Sequence, residues 1–303
     1  QLNPAVFLRL GPCTINGVRY STCSTTGNTN QRRALFLENP SQGQYYAGVN
    51  ALDDGGTGEY EGLLLSVQHR LSSGVSALAN YTWSHCISDV WDPNPGTGNA
   101  ASIPGNRREY RGNCQTGDVR QVANLSVVAT APRFGAGPLQ WIASDWQIAP
   151  IMKIASAQMF SVTTGLDGAL TGQPVQTPNL VGGVSPYVAS HGCSPAPCVQ
   201  WMTPAAFSAP APGQYGNLGL WNMKGPGFFQ FDLALTRTFR IREAQSIQLR
   251  AEAFNLPNRV NFAPPVSTTN SAAFGKIQSD VSGTYGLAAG DPRIVQIALK
   301  VFF

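Results

Sequence analysis

The sequence predicts an all-β fold, an antiparallel segment of a transmembrane β-barrel with about seven long strands, long outer loops and short periplasmic turns. Three observations predict it: charge is sparse, apolar residues recur with period two over runs of about 10 to 15 residues, and the connections alternate between short and long. Only 12% of the 303 residues are Asp, Glu, Lys or Arg, about half the share of a typical soluble domain. The 32 Gly and 22 Pro are scattered too evenly to leave room for long helices. No apolar run of about 18 residues occurs, and Gln1 to Leu10 has neither the basic nor the apolar region of a secretion signal, so no transmembrane helix and no retained signal peptide are expected. A formal charge of +4 with 20 dispersed Lys and Arg argues against nucleic acid as a partner.

The runs follow in order. In Tyr60 to Arg70, Leu63, Leu65 and Val67 oppose Gly62, Leu64, Ser66, Gln68 and Arg70, and Leu71-Ser72-Ser73-Gly74 reads as a tight hairpin turn. In Val75 to Cys86, Val75, Ala77, Ala79, Tyr81 and Trp83 oppose Ser76, Asn80, Thr82 and Ser84. In Val119 to Thr130, Val119, Ala123, Leu125, Val127 and Ala129 oppose Arg120, Asn124, Ser126 and Thr130, with a break at Gln121 and Val122. Trp146 to Phe160 is expected as one strand, although Ile148, Met152 and Ile154 alternate with Ala149, Ile151 and Lys153 and both faces are partly apolar. Phe229, Phe231, Leu233 and Leu235 oppose Gln230, Asp232, Ala234 and Thr236; after a turn at Arg242-Glu243-Ala244, Ile247, Leu249, Ala251 and Ala253 oppose Gln248, Arg250 and Glu252. The last run alternates Val295, Ile297, Leu299, Val301 and Phe303 with Gln296, Ala298, Lys300 and Phe302.

About 9 to 11 tilted residues cross a bilayer as a strand, whereas strands of soluble domains average about 5 to 6. Leu71 to Gly74, Ala131 to Asp145 and Arg240 to Gln245 are the short connections; Ile87 to Asp118, Ser161 to Gly227 and Leu256 to Pro292 are the long ones. A soluble sandwich has no reason to keep that parity, which suits periplasmic turns and outer loops. Residues 1–59 are expected as an outer loop region and 60–303 as the strands. Tyr81, Trp83, Phe228 and Phe229 near the long loops, and Trp141, Trp146, Phe239 and Phe303 near the short turns, suit two aromatic girdles. The apolar face is expected toward lipid, because Lys or Arg there costs about 2–4 kcal/mol near the midplane. Gln68, Arg120, Lys153, Asp232, Arg250, Glu252 and Lys300 are then expected to face the lumen.

Six cysteines, without a CxxC pair and without His at metal-ligand spacing, argue against zinc and suit disulfides in an oxidising compartment, with unpaired cytosolic thiols as the alternative. Pairing is open to 15 connectivities by sequence. The expected set is sequential, Cys13 with Cys23, Cys86 with Cys114 and Cys193 with Cys198, because each pair falls within one long loop. No catalytic constellation is present: His69, His85 and His191 lie far apart, and no GxSxG, HExxH, P-loop or GxGxxG occurs. No enzyme activity, cofactor or metal is expected. Asp53-Asp54 and Asp89 with Asp92 lack EF-hand spacing and read as solvated loop carboxylates. Asp232, Arg250 and Glu252 could line a solute path, but a satisfied charge ladder within one hairpin is favoured.

Several motifs in order carry a family resemblance: Tyr81-Thr82-Trp83-Ser84; Gly225-Pro226-Gly227-Phe228-Phe229; Arg250-Ala251-Glu252-Ala253-Phe254-Asn255-Leu256 with Asn258; Phe274-Gly275-Lys276-Ile277; Asp291-Pro292-Arg293; and terminal Phe303. From about Asn3 to its end the chain resembles the C-terminal barrel portion of TonB-dependent receptor-like outer-membrane proteins, the Oar-like group with a carboxypeptidase-regulatory-like domain, as in Acidobacteria. It departs at Asp118-Val119-Arg120, where a denser Arg and His cluster is usual, and at Pro257, where an aromatic is usual. The resemblance implies a bacterial outer-membrane location, a 22-stranded barrel with an N-terminal plug, and a TonB box that couples to an inner-membrane energy complex. It also implies that the barrel-assembly machinery recognises Val295, Ile297, Leu299, Val301 and Phe303. About seven strands without plug or TonB box read as a fragment of such a barrel, expected as a curved antiparallel sheet or as a strained closure of its own edges. The implied function is solute binding and uptake, with membrane lipid, the assembly machinery, the TonB-type complex and an unknown solute as partners. A non-transporting surface adhesin or scaffold is the alternative, and a soluble extracellular sandwich would be separated from both by membrane fractionation.

Overall fold

The computed structural model describes residues 2–49, 51, 54–72, 74–90, 103–114, 118–132, 142–173, 175–189, 192–193, 198–242, 245–282 and 290–303. Trp141, His191, Asp53 and Asp92 lie outside them, so one member of the lower aromatic girdle and half of each acidic pair are not placed.

The period-two runs become seven long strands: β1 (Gly58–Ser72), β2 (Val75–Ser88), β3 (Gln121–Thr130), β4 (Trp146–Ala155), β5 (Phe228–Arg242), β6 (Gln245–Phe254) and β7 (Ile294–Phe302). They pair antiparallel in chain order, and a short strand, Gly112–Asn113, adds to the long-connection end of β2. β1 and β7 do not pair with each other, so the sheet is open. Among the described residues no helix is long and apolar enough to cross a membrane. The β1–β2 turn depends on Gly74, whose φ of 81° is left-handed and whose Cβ, if it had one, would lie 2.7 Å from the Thr130 carbonyl oxygen.

Register converts the sequence alternation into two faces, because residues paired across antiparallel strands share a face. Leu65, Tyr81, Ala123, Ile154 and Phe229 form one continuous row across β1 to β5. Leu235, Ala251 and Ile297 extend the same face across β5 to β7. One residue along, on the opposite face, Ser66, Asn80, Asn124, Lys153 and Gln230 form an equally continuous polar row.

Two expectations are corrected. The fourth strand ends at Ala155 rather than Phe160, and after a break the chain resumes the same register as a separate short pairing of Met159–Phe160 with Met223–Lys224. Ala155 is the last residue with a partner on β5, opposite Phe228, and beyond it stands Pro226, which has no N–H to continue the ladder. Phe228 does not share a girdle with Phe229, since adjacent strand residues point to opposite faces; it lies on the polar face, with the Lys153 ammonium 5.4 Å from its ring centroid. Strand limits otherwise move by a few residues, as with β1, which starts at Gly58 rather than Tyr60.

The buried apolar cluster sits in the connections. Phe160, Val162, Met202, Leu218, Met223 and Phe274 form it, with Tyr187, Trp201 and Phe207 against it, and Tyr110 with Leu220 forms a smaller one. The described residues 2–49 hold regular elements rather than one long loop. Cys13–Ile15 and Val18–Tyr20 form a hairpin whose turn residues, Asn16 and Gly17, both have positive φ, the type I′ requirement. Two short helices, Ala34–Glu38 and Pro40–Gly43, follow. The segment docks on the remaining loops through Ala5, whose N–H donates to the Thr171 carbonyl. Arg32, fully buried, donates to the Asn28 side chain and to the carbonyls of Val6 and Thr25. Burial lowers its pKa, partly offset by the attraction of Asp167.

Candidate functional site: the polar face and the lobe above it

The seven polar residues singled out by sequence do not form one cluster. Lys153 and Asp232 come together, with Asn80, Asn124, Ser126 and Gln230, around a cavity of about 270 Å³ on the polar face. Lys153 also reaches a second cavity of about 220 Å³ nearer the loops, where its neighbours are largely apolar, among them Val122, Phe228, Phe262 and Val281. Gln68 lies two strands away from Lys153's neighbour β3, beside His69, Arg70 and Ser76. Lys300 is exposed on β7 opposite Gln248, and Arg250 and Glu252 form an ion pair along β6.

Asp232 is satisfied by Gln230, whose amide nitrogen lies 3.0 Å from both carboxylate oxygens, and by the Asn255 backbone N–H at 2.8 Å. It is not paired with Arg250, which stands opposite Thr236, so the hairpin carries two separate polar groupings rather than one cross-strand charge ladder. Arg120 forms an ion pair with the buried side chain of Asp118 at 3.0 Å and donates to Asn113, while Asp118 also accepts the Cys86 N–H. His85 lies 3.3 Å from the same Asn113 side chain, which donates to the Trp221 carbonyl and to Asn222. Asn113 thereby ties two of the long connections together, a role that its isolated position in the sequence does not signal.

All three sequential disulfides are formed: Cys13–Cys23, Cys86–Cys114 and Cys193–Cys198, with Cα separations of 5.2, 5.3 and 5.4 Å. They staple the lobe at three places. The resembling motifs also do structural work there. Asn255, 1% exposed and with φ of 48°, donates through its side chain to the carbonyls of Arg259 and Asp291 and accepts the Arg259 N–H. Asn258 accepts the Arg293 N–H. The two asparagines close the long connection from β6 to β7 on itself.

Asp89, just beyond β2, accepts the Thr57 N–H at 2.6 Å and the Thr57 hydroxyl at 2.9 Å, closing the open end of the β1–β2 hairpin. Burial pushes this carboxyl up, but the Thr57 hydrogen bonds and the Arg107 charge outweigh it and hold the group below its ordinary value. Its partner is thus a threonine. Among the described residues no three His, Cys, Asp or Glu gather as metal ligands.

A family model described as an outer membrane beta barrel domain matches residues 1–296, which span the lobe and nearly the whole sheet. No curated protein and no solved structure matches the chain. The match agrees with long strands, an apolar face whose large side chains are exposed, and disulfides suited to an oxidising compartment, and it locates the protein in the bacterial outer membrane. The chain belongs to the outer membrane beta barrel domain family.

Proposed function

We propose that the chain is part of the wall and outer mouth of a receptor or transporter of the TonB-dependent type, non-catalytic, which binds a solute under its outer loops and passes it along the polar face. The observation that carries this reading is the row Ser66, Asn80, Asn124, Lys153 and Gln230, polar across five adjacent strands and one residue out of phase with an apolar row. An outer-membrane barrel needs such a division, with the apolar row toward lipid and the polar row toward a water-filled interior. On this reading Gln68, Arg120, Asp232, Arg250, Glu252 and Lys300 share the lumenal side with that row. The two unpaired sheet edges join further strands, since open edges do not persist in hydrocarbon. Energy coupling runs through a TonB-type complex and parts beyond this wall, as the resemblance implies.

The test is uptake of labelled oligosaccharides, oligopeptides and metal chelates by cells with and without the gene, each with and without a protonophore. Uptake that needs both the gene and an energised membrane is expected; gene-dependent uptake untouched by the protonophore, or none, would sink the reading. The terminal strand is proposed as the assembly signal through Val295, Ile297, Leu299, Val301 and Phe303. Deleting Phe303 should lower the amount inserted in the outer membrane, and unchanged insertion would remove that role.

A further inference from the structure

Arg237 breaks the apolar face. It stands opposite Trp146 on β4 and Leu249 on β6, in the same alternate series as Leu233, Leu235 and Phe239. Its guanidinium carbon lies 5.0 Å from the Trp146 ring centroid and 4.4 Å from that of Phe239. The indole is itself fixed, its Nε1–H donating to the Ile142 carbonyl at 2.8 Å. The Arg237 Nε is buried and has no hydrogen-bond partner among the described residues. Between the row of Phe229 and the row of Arg237, no other Lys, Arg, Asp or Glu falls on this face of β3 to β7. Among the described residues the Arg237 cation, clasped by two rings, has no ion pair with a carboxylate.

Its depth points to what completes it. From Phe229 to Arg237 is about eight residues, about 26 Å along the strand at about 3.3 Å each. At the usual tilt this crosses about 20 Å of an apolar band about 25 Å tall. Arg237 therefore comes to the rim of the band at the short-turn end, where an Arg costs little and a layer of lipid phosphates begins. We infer that Arg237, Trp146 and Phe239 form a binding site for the phosphodiester of an anionic membrane phospholipid, the guanidinium pairing with the phosphate and the rings lying against the glycerol and first methylenes. A guanidinium matches a phosphate through two parallel N–H donors, and the rings present it in one plane.

The inference rests on the proposed reading of the apolar face as the lipid face. Full-length protein extracted from outer membranes is examined by native mass spectrometry with phosphatidylglycerol, with phosphatidylcholine of the same acyl chains, and with inorganic phosphate. Retained phosphatidylglycerol should exceed phosphatidylcholine, should fall several-fold in Arg237→Gln and should be intermediate in Arg237→Lys, which keeps the charge should the first variant insert poorly. Arg240→Gln, near the same turn and 3.8 Å from Asp145, should change nothing. Equal retention in Arg237→Gln, an equal fall in Arg240→Gln, or displacement of the lipid by inorganic phosphate would overturn the site. A Leu235→Cys variant separates the two layers of argument. If it reacts with a bilayer-dissolved thiol reagent while lipid retention ignores Arg237, the site alone is wrong; if it reacts only from water, the face assignment falls and the site falls with it.

Discussion

The wall and the lobe are built by opposite rules. In the wall, backbone ladders pair strand to strand while large apolar side chains stay uncovered: Ile297 is 73% exposed, and Leu249, Ile148 and Leu235 are also open. In the lobe, Val162 and Met202 are fully buried, and side chains bond backbone across loops distant in sequence. Water drives the second arrangement, since burying an apolar side chain there removes it from solvent at about 25 cal/mol per Å². The first needs an apolar phase outside the protein, which the outer membrane supplies. Hydrophobic residues thus lie inside the lobe and exposed on one face of the wall, and only register distinguishes the two uses.

The largest effect that would sharpen this contrast falls on the lobe alone. Cys86 and Cys114, separated by 28 residues, close the longest of the three disulfide loops. Replacing both by Ser should destabilise that loop by about 3–4 kcal/mol through regained chain entropy. Limited proteolysis should then cut near residues 87–113 while the wall keeps its heat-dependent electrophoretic shift; loss of both together would mean that the regions do not fold separately. Next in size, Leu235→Arg should cost about 2–4 kcal/mol in lipid vesicles, and Ala234→Arg on the other face, opposite Glu252, much less. Urea midpoints measured for the two variants in bilayers check it, and equal costs would break the two-face picture.

Asn255→Ala should have a smaller effect, about 1–3 kcal/mol, because it strands the carbonyls of Arg259 and Asp291 and the Arg259 N–H near a buried turn. Hydrogen exchange should accelerate in residues 256–282 and 290–293 and not in β5 or β6. Faster exchange along β6 would mean that this anchor also holds the wall.

The wall was legible in the sequence because its signal is local: a strand needs only alternate residues of like character, and a hairpin only a short turn. Disulfide partners were legible for the same reason, each lying in one loop. Three things were not. The end of β4 at Ala155 is set by Pro226, far along the chain, so the apolar run to Phe160 gave no warning. The lobe's core joins Phe160, Met202 and Phe274 across long connections with no shared period. The polar row needed register as well as pattern, since Asn80 and Asn124 meet Lys153 only through two correct pairings. Arg237 does carry a local signal, a charge in an otherwise apolar alternate series with Phe239 two residues on.

The smallest expected effect concerns the seam between the regions, where Asp89 holds Thr57 at the open end of the β1–β2 hairpin. A carboxyl whose folded value is depressed stabilises the fold above its unfolded value, about 3.9, and that contribution is lost as pH falls through the lower folded value. The clasp should therefore be constant from pH 7 to about pH 5 and loosen only below about pH 4. Proton loss from Asp89 is favoured by two hydrogen bonds that only the ionised group accepts fully, so Asp89→Asn should remove the pH response while keeping one acceptor for the Thr57 N–H. Exchange of the Thr57 and Gly58 amides, followed from pH 7 to pH 3 after correction for intrinsic rates, should rise at low pH in the natural protein and stay flat in the variant. The lipid-embedded amides of β2, below Tyr81, should not follow either curve. An identical acid response in Asp89→Asn would assign the loosening to other carboxylates of the lobe and leave the hairpin's outer end held by its backbone ladder alone.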